Sequence, residues 1–262
     1  MPDAALIPAV LVHGLIGALD DRDLIGQLGL RRVLSPDLLG YGQQASVPPE
    51  RIQIDAQADQ LAREIEAMDA ERVHLVGHSV GSVVAALFAD KHPERVASFT
   101  SVEGNFTLRD AFWSARVARM TTGEADEMIG EYRADPAGWL RGSGVDPDER
   151  TLGLARRWLA YQPPSTVRAM ARAVVDTTGR STWEPLLRGV FDRTIVHLVA
   201  GERSRDGWDV PAWAVQAAGR VTVIPSTGHL MMAERPQVFA QTISMLIAAD
   251  RGGDMARTPH AS

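Results

Sequence analysis

Short apolar runs alternate with longer helical periods along the first hundred residues. Ala9-Val10-Leu11-Val12 is an apolar run ending at His13-Gly14. A second, Val33-Leu34-Ser35-Pro36-Asp37, leads into the turn Leu39-Gly40-Tyr41-Gly42. Both predict strands, being short, apolar and bounded by turn residues. Residues 57–68 set Ala58, Leu61, Ile65 and Met68 at helical spacing. A third strand, Val73-His74-Leu75-Val76, is followed by a helix over 82–89, with Pro93 marking the exit, and then by a strand over 96–102. The rhythm resumes late with strands over 194–200 and 221–224. A closing helix from Pro236 carries Val238, Phe239, Ile243, Leu246 and Ile247 on one face. Strands alternating with helices predict an α/β fold, a mostly parallel sheet flanked by helices on both faces.

Between residues 105 and 190 this rhythm stops. Helical periods, the loop Gly142-Ser143-Gly144 and the break Pro163-Pro164 fill the stretch, together with Trp113, Trp139, Trp158 and Trp183, four of the six tryptophans. We read it as a helical cap inserted into a core domain made of residues 1–104 and 191–250. Residues 251–262 are polar and small, and are expected to form a flexible tail.

Composition narrows the partners. A chain of 262 residues with 45% hydrophobic and 23% charged residues suits one large soluble domain with an insertion. The net charge of −6 favours neither nucleic acid nor an anionic membrane. The absence of cysteine excludes disulfides, thiol catalysis and cysteine-ligated zinc, and leaves no reason to invoke an oxidising compartment. Residues 1–8 carry no basic region, so no signal peptide is expected. No apolar stretch is long enough for a membrane span, and we expect a cytoplasmic protein. Lys91 is the only lysine, which nearly rules out Schiff-base chemistry. The histidines are not spaced as a metal-ligand set. The expected partner is a small-molecule substrate, with no cofactor and no metal. The 105–190 stretch holds 12 arginines against 11 acidic residues, which argues against a basic docking face for a carrier.

The candidate chemistry centres on Gly77-His78-Ser79-Val80-Gly81, between a strand and a helix. A serine on such a sharp turn adopts strained backbone geometry, so its neighbours two residues away must lack bulk, and both are glycine. Its hydroxyl then stands above the carboxyl end of a sheet, with the first amides of the following helix aimed at the same space. A serine hydroxyl is a weak nucleophile at neutral pH and needs a base. Histidine is the usual one, and His229 stands in Ser226-Thr227-Gly228-His229, between the last strand and the closing helix.

His13-Gly14-Leu15, Pro36-Asp37-Leu38-Leu39-Gly40-Tyr41-Gly42, Gly77-His78-Ser79-Val80-Gly81 and Gly228-His229 occur in the order and approximate spacing of the α/β-hydrolase superfamily. The chain resembles its capped, serine-nucleophile members over nearly its whole length outside the cap. One departure is that only eight residues precede Ala9, where the family usually has a hairpin. The resemblance implies an α/β-hydrolase fold in which the His229 loop returns over Ser79. The anion site would be the backbone amides of Leu15 and Val80. In the commonest family pattern the acid lies in a Gly-x-x-Asp turn after the penultimate strand. Here that turn reads Gly201-Glu202-Arg203-Ser204, so Asp206 and Glu202 are alternatives. Glu103, at a strand's carboxyl end, is better placed, and certain lactonases and haloalkane dehalogenases look similar in having a glutamate there. Asp37 is read as structural. His13 is expected to brace its own loop and His78 to point away. Trp113, close after Glu103, is the candidate substrate-binding tryptophan.

Dehalogenases and epoxide hydrolases of this fold use an aspartate where this chain has Ser79. The expected function is therefore a serine hydrolase of the esterase or lactonase class, acting on a small to medium, largely apolar substrate. Two alternatives stand beside it. One is a lyase or cyclase in which His229 moves protons, and the other is a ligand receptor built on the hydrolase fold.

Overall fold

The computed structural model describes residues 7–253. Among them the chain runs β1 (Ala9–Val12), α1 (Arg22–Gln27), β2 (Val33–Leu34), α2 (Ile54–Ala67), β3 (Val73–His78), α3 (Val80–Lys91) and β4 (Val96–Val102). Helices α4 (Phe112–Arg119), α5 (Thr122–Ala134), α6 (Pro136–Gly142), α7 (Glu149–Ala160), α8 (Pro164–Thr178) and α9 (Trp183–Arg193) follow. The chain ends with β5 (Val196–Gly201), α10 (Ala212–Ala217), β6 (Arg220–Ile224), α11 (Met231–Glu234) and α12 (Pro236–Gly253).

The six strands form one sheet in the order β2-β1-β3-β4-β5-β6, and every pairing is parallel. This is the α/β-hydrolase fold expected from the sequence. Strands β1, β3 and β5 are buried along their whole length, because helices cover both faces of a parallel sheet. Successive side chains serve opposite faces. Val10, Val12, Leu75, Phe99 and Leu198 join the apolar cluster containing residues of α2, α3 and α9. Ala9, Leu11, Val76, Val102 and Val199 join the cluster containing residues of α1 and α12.

Strand order reverses between β1 and β3, since β2 lies on the other side of β1. Two parallel neighbours whose connections leave in opposite directions open a crevice at their carboxyl ends. The loop after β1 and the turn carrying Ser79 meet there.

Several bounds differ from those expected. β2 stops at Leu34, and Pro36, with no amide to donate, cannot extend a ladder. α2 begins at Ile54 rather than 57. Its N-cap, Gln53, makes no side-chain capping bond, so the sequence carries no start signal there. α12 continues through Gly253, so the expected tail loses its first three residues to a helix; residues 254–262 lie outside the described residues.

Helices α4 to α8 occupy the inserted stretch. Two of them have starts legible in sequence: Thr121 and Glu124 form a capping box on α5, and Asp148 caps α7 through Thr151. The boundary expected at residue 190 falls inside α9, which packs on α3 beside the sheet. Helical periodicity cannot tell an inserted helix from one covering the sheet.

Candidate active site

Ser79 has φ 53° and ψ −124°, a conformation a non-glycine residue adopts only when its surroundings enforce it. The enforcement is visible in three places. The Ser79 amide donates to Val102 O at the end of β4 (2.9 Å). A Cβ on Gly77 would lie 2.6 Å from Ser82 Cα, and one on Gly81 2.3 Å from Val12 O, so glycine is required on both sides. α3 starts at Val80, whose amide, as the first of a helix, has no acceptor within it. Ser79 is partly exposed, and its side chain makes no capping bond.

The loop after β1 presses against this turn. A Cβ on Gly14 would meet Ser79 Cβ at 3.3 Å, so the backbone before Leu15 abuts the serine. Three bonds brace the loop. Tyr41 Oη donates to Leu15 O (3.0 Å), His13 Nδ1 donates to Gly14 O (2.8 Å), and Gly17 N donates to Gln162 Oε1 (3.2 Å). The Leu15 amide is left without a protein acceptor among the described residues. Val80 N, the other amide named from the sequence, opens α3 directly after Ser79. Asp37 is occupied by the amide of Gln43 and the hydroxyl of Tyr161, which closes its own turn.

His229 reaches the site from the loop after β6, and several hydrogen bonds hold that loop. Glu202 accepts from Ser226 N (2.8 Å) and Arg203 donates to Ser226 O (2.7 Å). Glu234 accepts from Gly228 N (2.6 Å), and His78 Nε2 donates to His229 O (3.0 Å). The rings of His78 and His229 lie 4.6 Å apart, so the histidine rests on the residue before Ser79. His229 Nδ1 bonds Glu103 Oε2 at 2.6 Å. An ionised carboxylate only accepts, so Nδ1 carries the proton and Nε2 is left as the basic nitrogen.

Glu103 is 5% exposed and, like Ser79, has positive φ, 43°. Its second oxygen accepts from Gly201 N (2.8 Å) and Ser204 Oγ (2.5 Å). Burial alone would push its carboxyl up, but the bond and charge of His229, with the donors on Ser204 and Gly201, hold it below the ordinary glutamate value. The structure thus brings Glu103 to His229 and leaves the alternatives elsewhere. Asp206 sits on an exposed turn, its carboxylate 93% exposed and 3.6 Å from Arg205, and Glu202 is spent on Ser226.

Trp113 packs against the main apolar cluster, and no hydrogen bond or ring contact joins it to these residues among those described. Two other tryptophans lie against backbone near these residues. The Trp158 ring is where a Cβ on Gly17 would fall (2.6 Å), and Trp208 Nε1 donates to Gly104 O (2.6 Å), fixing the backbone just after Glu103. Trp208 carried no signal in the sequence, and Ser204 and Tyr41, though inside the quoted turns, carried none for these contacts. Among the described residues no cluster of His, Asp and Glu has metal-binding geometry, and no helix is long and apolar enough to cross a membrane.

Burial depresses two further histidines. His13 falls to about 4, and His78, buried beside His229, falls well below the ordinary value of 6.5. Both are neutral when folded. Below pH 6.5 the unfolded chain binds protons that the folded chain refuses, so the stability these groups contribute is present above that pH and is lost as pH falls from 6.5 towards 4. Urea unfolding across this window should show stability falling with pH, and His13→Asn should flatten the slope. An unchanged slope would mean His13 titrates normally.

The family model described as alpha/beta hydrolase family matches residues 9–242. Among curated proteins, the chain is 28% identical over 162 residues to a pimeloyl-[acyl-carrier protein] methyl ester esterase of Aeromonas hydrophila, covering 60% of this chain and 59% of that protein. It is 30% identical over 118 residues to Lipase 1 of Psychrobacter immobilis, covering 44% and 36%. The match therefore spans less than two thirds of the length of either relative. In structure, the chain is similar to a carboxylesterase from Nitrososphaera gargenis, with TM-score 0.71, 16% identity and coverage of 96% and 93%.

Proposed function

The chain belongs to the alpha/beta hydrolase family, and from that premise we propose that it is a serine hydrolase cleaving an ester or lactone by acyl transfer to Ser79. The observation that carries this reading is the chain of contacts behind a strained serine: His229 on the residue beside it, and a buried glutamate 2.6 Å from the far nitrogen of that histidine. The ester chemistry in the names of the two curated relatives points the same way.

Ser79 Oγ attacks the carbonyl carbon and passes its proton to His229 Nε2. The Glu103 carboxylate holds the imidazole in the Nδ1–H tautomer and stabilises the imidazolium that forms. The negative charge developing on the carbonyl oxygen is met by the amides of Leu15 and Val80, each such donor contributing on the order of 10²- to 10³-fold in rate. Collapse returns the proton from His229 to the leaving alkoxide and leaves an ester on Ser79. Water then attacks that ester, losing its proton to His229, which passes it to Ser79 Oγ as the acyl bond to the serine breaks and the acid is released.

We read α4 to α8 as a cap over this site and the substrate as small to medium and largely apolar, since an aromatic side chain of the inserted stretch, Trp158, packs on the Leu15 loop. A fluorophosphonate probe should label the protein at one serine, and peptide mapping should identify it as Ser79. A panel of p-nitrophenyl esters and of γ- and δ-lactones should show turnover that peaks at short to medium acyl chains. An unlabelled protein inert across the panel would remove acyl transfer and return the lyase or receptor reading.

A further inference from the structure

Gln162 follows α7 in the inserted stretch and is 1% exposed. Both ends of its side-chain amide are bonded. Oε1 accepts from Gly17 N (3.2 Å), and Nε2 donates to Trp158 O (3.0 Å). A backbone amide only donates and a carbonyl only accepts, so these partners fix which end of the side chain faces the loop after β1. The main chain of Gln162 is held as well. Its carbonyl accepts from Arg133 Nη2 (2.9 Å), and Arg133 Nε donates to Leu159 O (2.8 Å). Tyr161 ties the same segment to the turn after β2, since Gly42 N donates to Tyr161 O (2.9 Å) and the Tyr161 hydroxyl donates to Asp37.

Each peptide unit is rigid, so one bond to its oxygen or nitrogen helps to orient the whole plane. Three successive planes of the loop are held in this way. The plane that contains the Leu15 amide also contains Gly14 O, the acceptor for His13 Nδ1 (2.8 Å). The next contains Leu15 O, the acceptor for Tyr41 Oη (3.0 Å). The third contains Gly17 N, the donor to Gln162. Gly17 has φ 98° and lies against the Trp158 ring, where a Cβ would fall 2.6 Å from Cγ. His13 and Tyr41 belong to the motifs of the core, whereas Gln162 comes from the inserted stretch. We propose that Gln162 is a positioning residue for the Leu15 amide, fixing the last of the three planes and through them the aim of the first. This rests on the serine-hydrolase reading above, in which that amide meets the developing negative charge.

The experiment is steady-state kinetics on p-nitrophenyl butyrate together with inhibition by an alkyl trifluoromethyl ketone. In the inhibited protein Ser79 Oγ bonds the ketone carbon, the serine proton passes to His229, and the ketone oxygen becomes the anion. The variants are Gln162→Met, which keeps the length of the side chain without its oxygen, and Gln162→Asn, which keeps the amide but falls one carbon short. Ile129→Ala, fully buried in α5, is the stability control, and Ser79→Ala the chemical one. Losing an anion-site donor outright costs on the order of 10²- to 10³-fold, and misaiming one costs part of that. Gln162→Met should lower kcat about tenfold with KM nearly unchanged, because acylation and deacylation both pass through the anion. Affinity for the ketone should fall by a like factor. Ile129→Ala should lower the melting temperature and leave both readouts intact. If methionine at 162 prevents folding, the asparagine variant carries the same expectation. Wild-type kcat and ketone affinity in a folded position-162 variant would overturn the inference while Ser79→Ala still abolished turnover. So would losses equalled by Ile129→Ala. Wild-type protein that neither turns over the ester nor binds the ketone would overturn the serine-hydrolase reading and this one with it.

Discussion

Ser79→Ala should lower kcat by on the order of 10⁴- to 10⁶-fold, leaving only what binding and the two amides contribute. The loss is chemical rather than structural. The Ser79 side chain makes no capping bond, and the turn is held by the Ser79 amide on Val102 O and by the tight approach of Gly81 to Val12. Alanine at φ 53° faces the same strain as serine, so the melting temperature should barely move. The measurement is turnover on the best ester of the panel with thermal unfolding run in parallel. A variant as active as the wild type would end the acyl-enzyme reading. A variant that lost activity only by unfolding would make Ser79 a residue of the fold.

Glu103→Gln should cost on the order of 10²- to 10⁴-fold in kcat. The direction follows from the contacts of the carboxylate. Oε1 accepts from two donors, Gly201 N and Ser204 Oγ, so the amide oxygen of glutamine must take that place. Its NH₂ then faces His229 Nδ1, which has to accept. The imidazole is driven to the Nε2–H tautomer and cannot take the serine's proton, and the charge that would stabilise the imidazolium is gone. Asp206→Asn should stay within about twofold of wild type, since an exposed carboxylate is screened by water and salt. Parallel kinetics on the two variants decide the matter. Asp206→Asn crippling with Glu103→Gln mild would move the acid onto the loop after β5. If both were mild, the histidine would act without a charged partner, as a proton shuttle does.

What was legible in the sequence is what is encoded within a few residues. The strained serine turn could be read because the geometry of Ser79 demands small neighbours at fixed offsets, and Gly77 and Gly81 stand there. The parallel sheet could be read because strands covered on both faces are continuous apolar runs, as in β1, β3 and β5. β2 was over-read because Pro36 forbids a ladder that its apolar neighbours invite. The edge expected for the inserted stretch, at residue 190, falls inside α9, whose apolar stripe looks the same whether it faces the sheet or an insertion.

The sequence by itself determined the fold class, the turn that exposes Ser79 and the identity of the loop that carries His229. Each of these depends on local periodicity or on a glycine at a fixed spacing. It left the partner of His229 open between Glu103 and Asp206, gave Ser204 only as the residue standing where an aspartate was expected, and said nothing of the contacts of Trp208 and Tyr41. Those were decided by the order of strands in the sheet. Parallel strands deliver their carboxyl ends to one rim, and only the folded chain brings Glu103 against a histidine 126 residues away and a serine 101 residues away. No short-range rule encodes a contact at that separation, because its geometry is the sum of every crossover between the two ends.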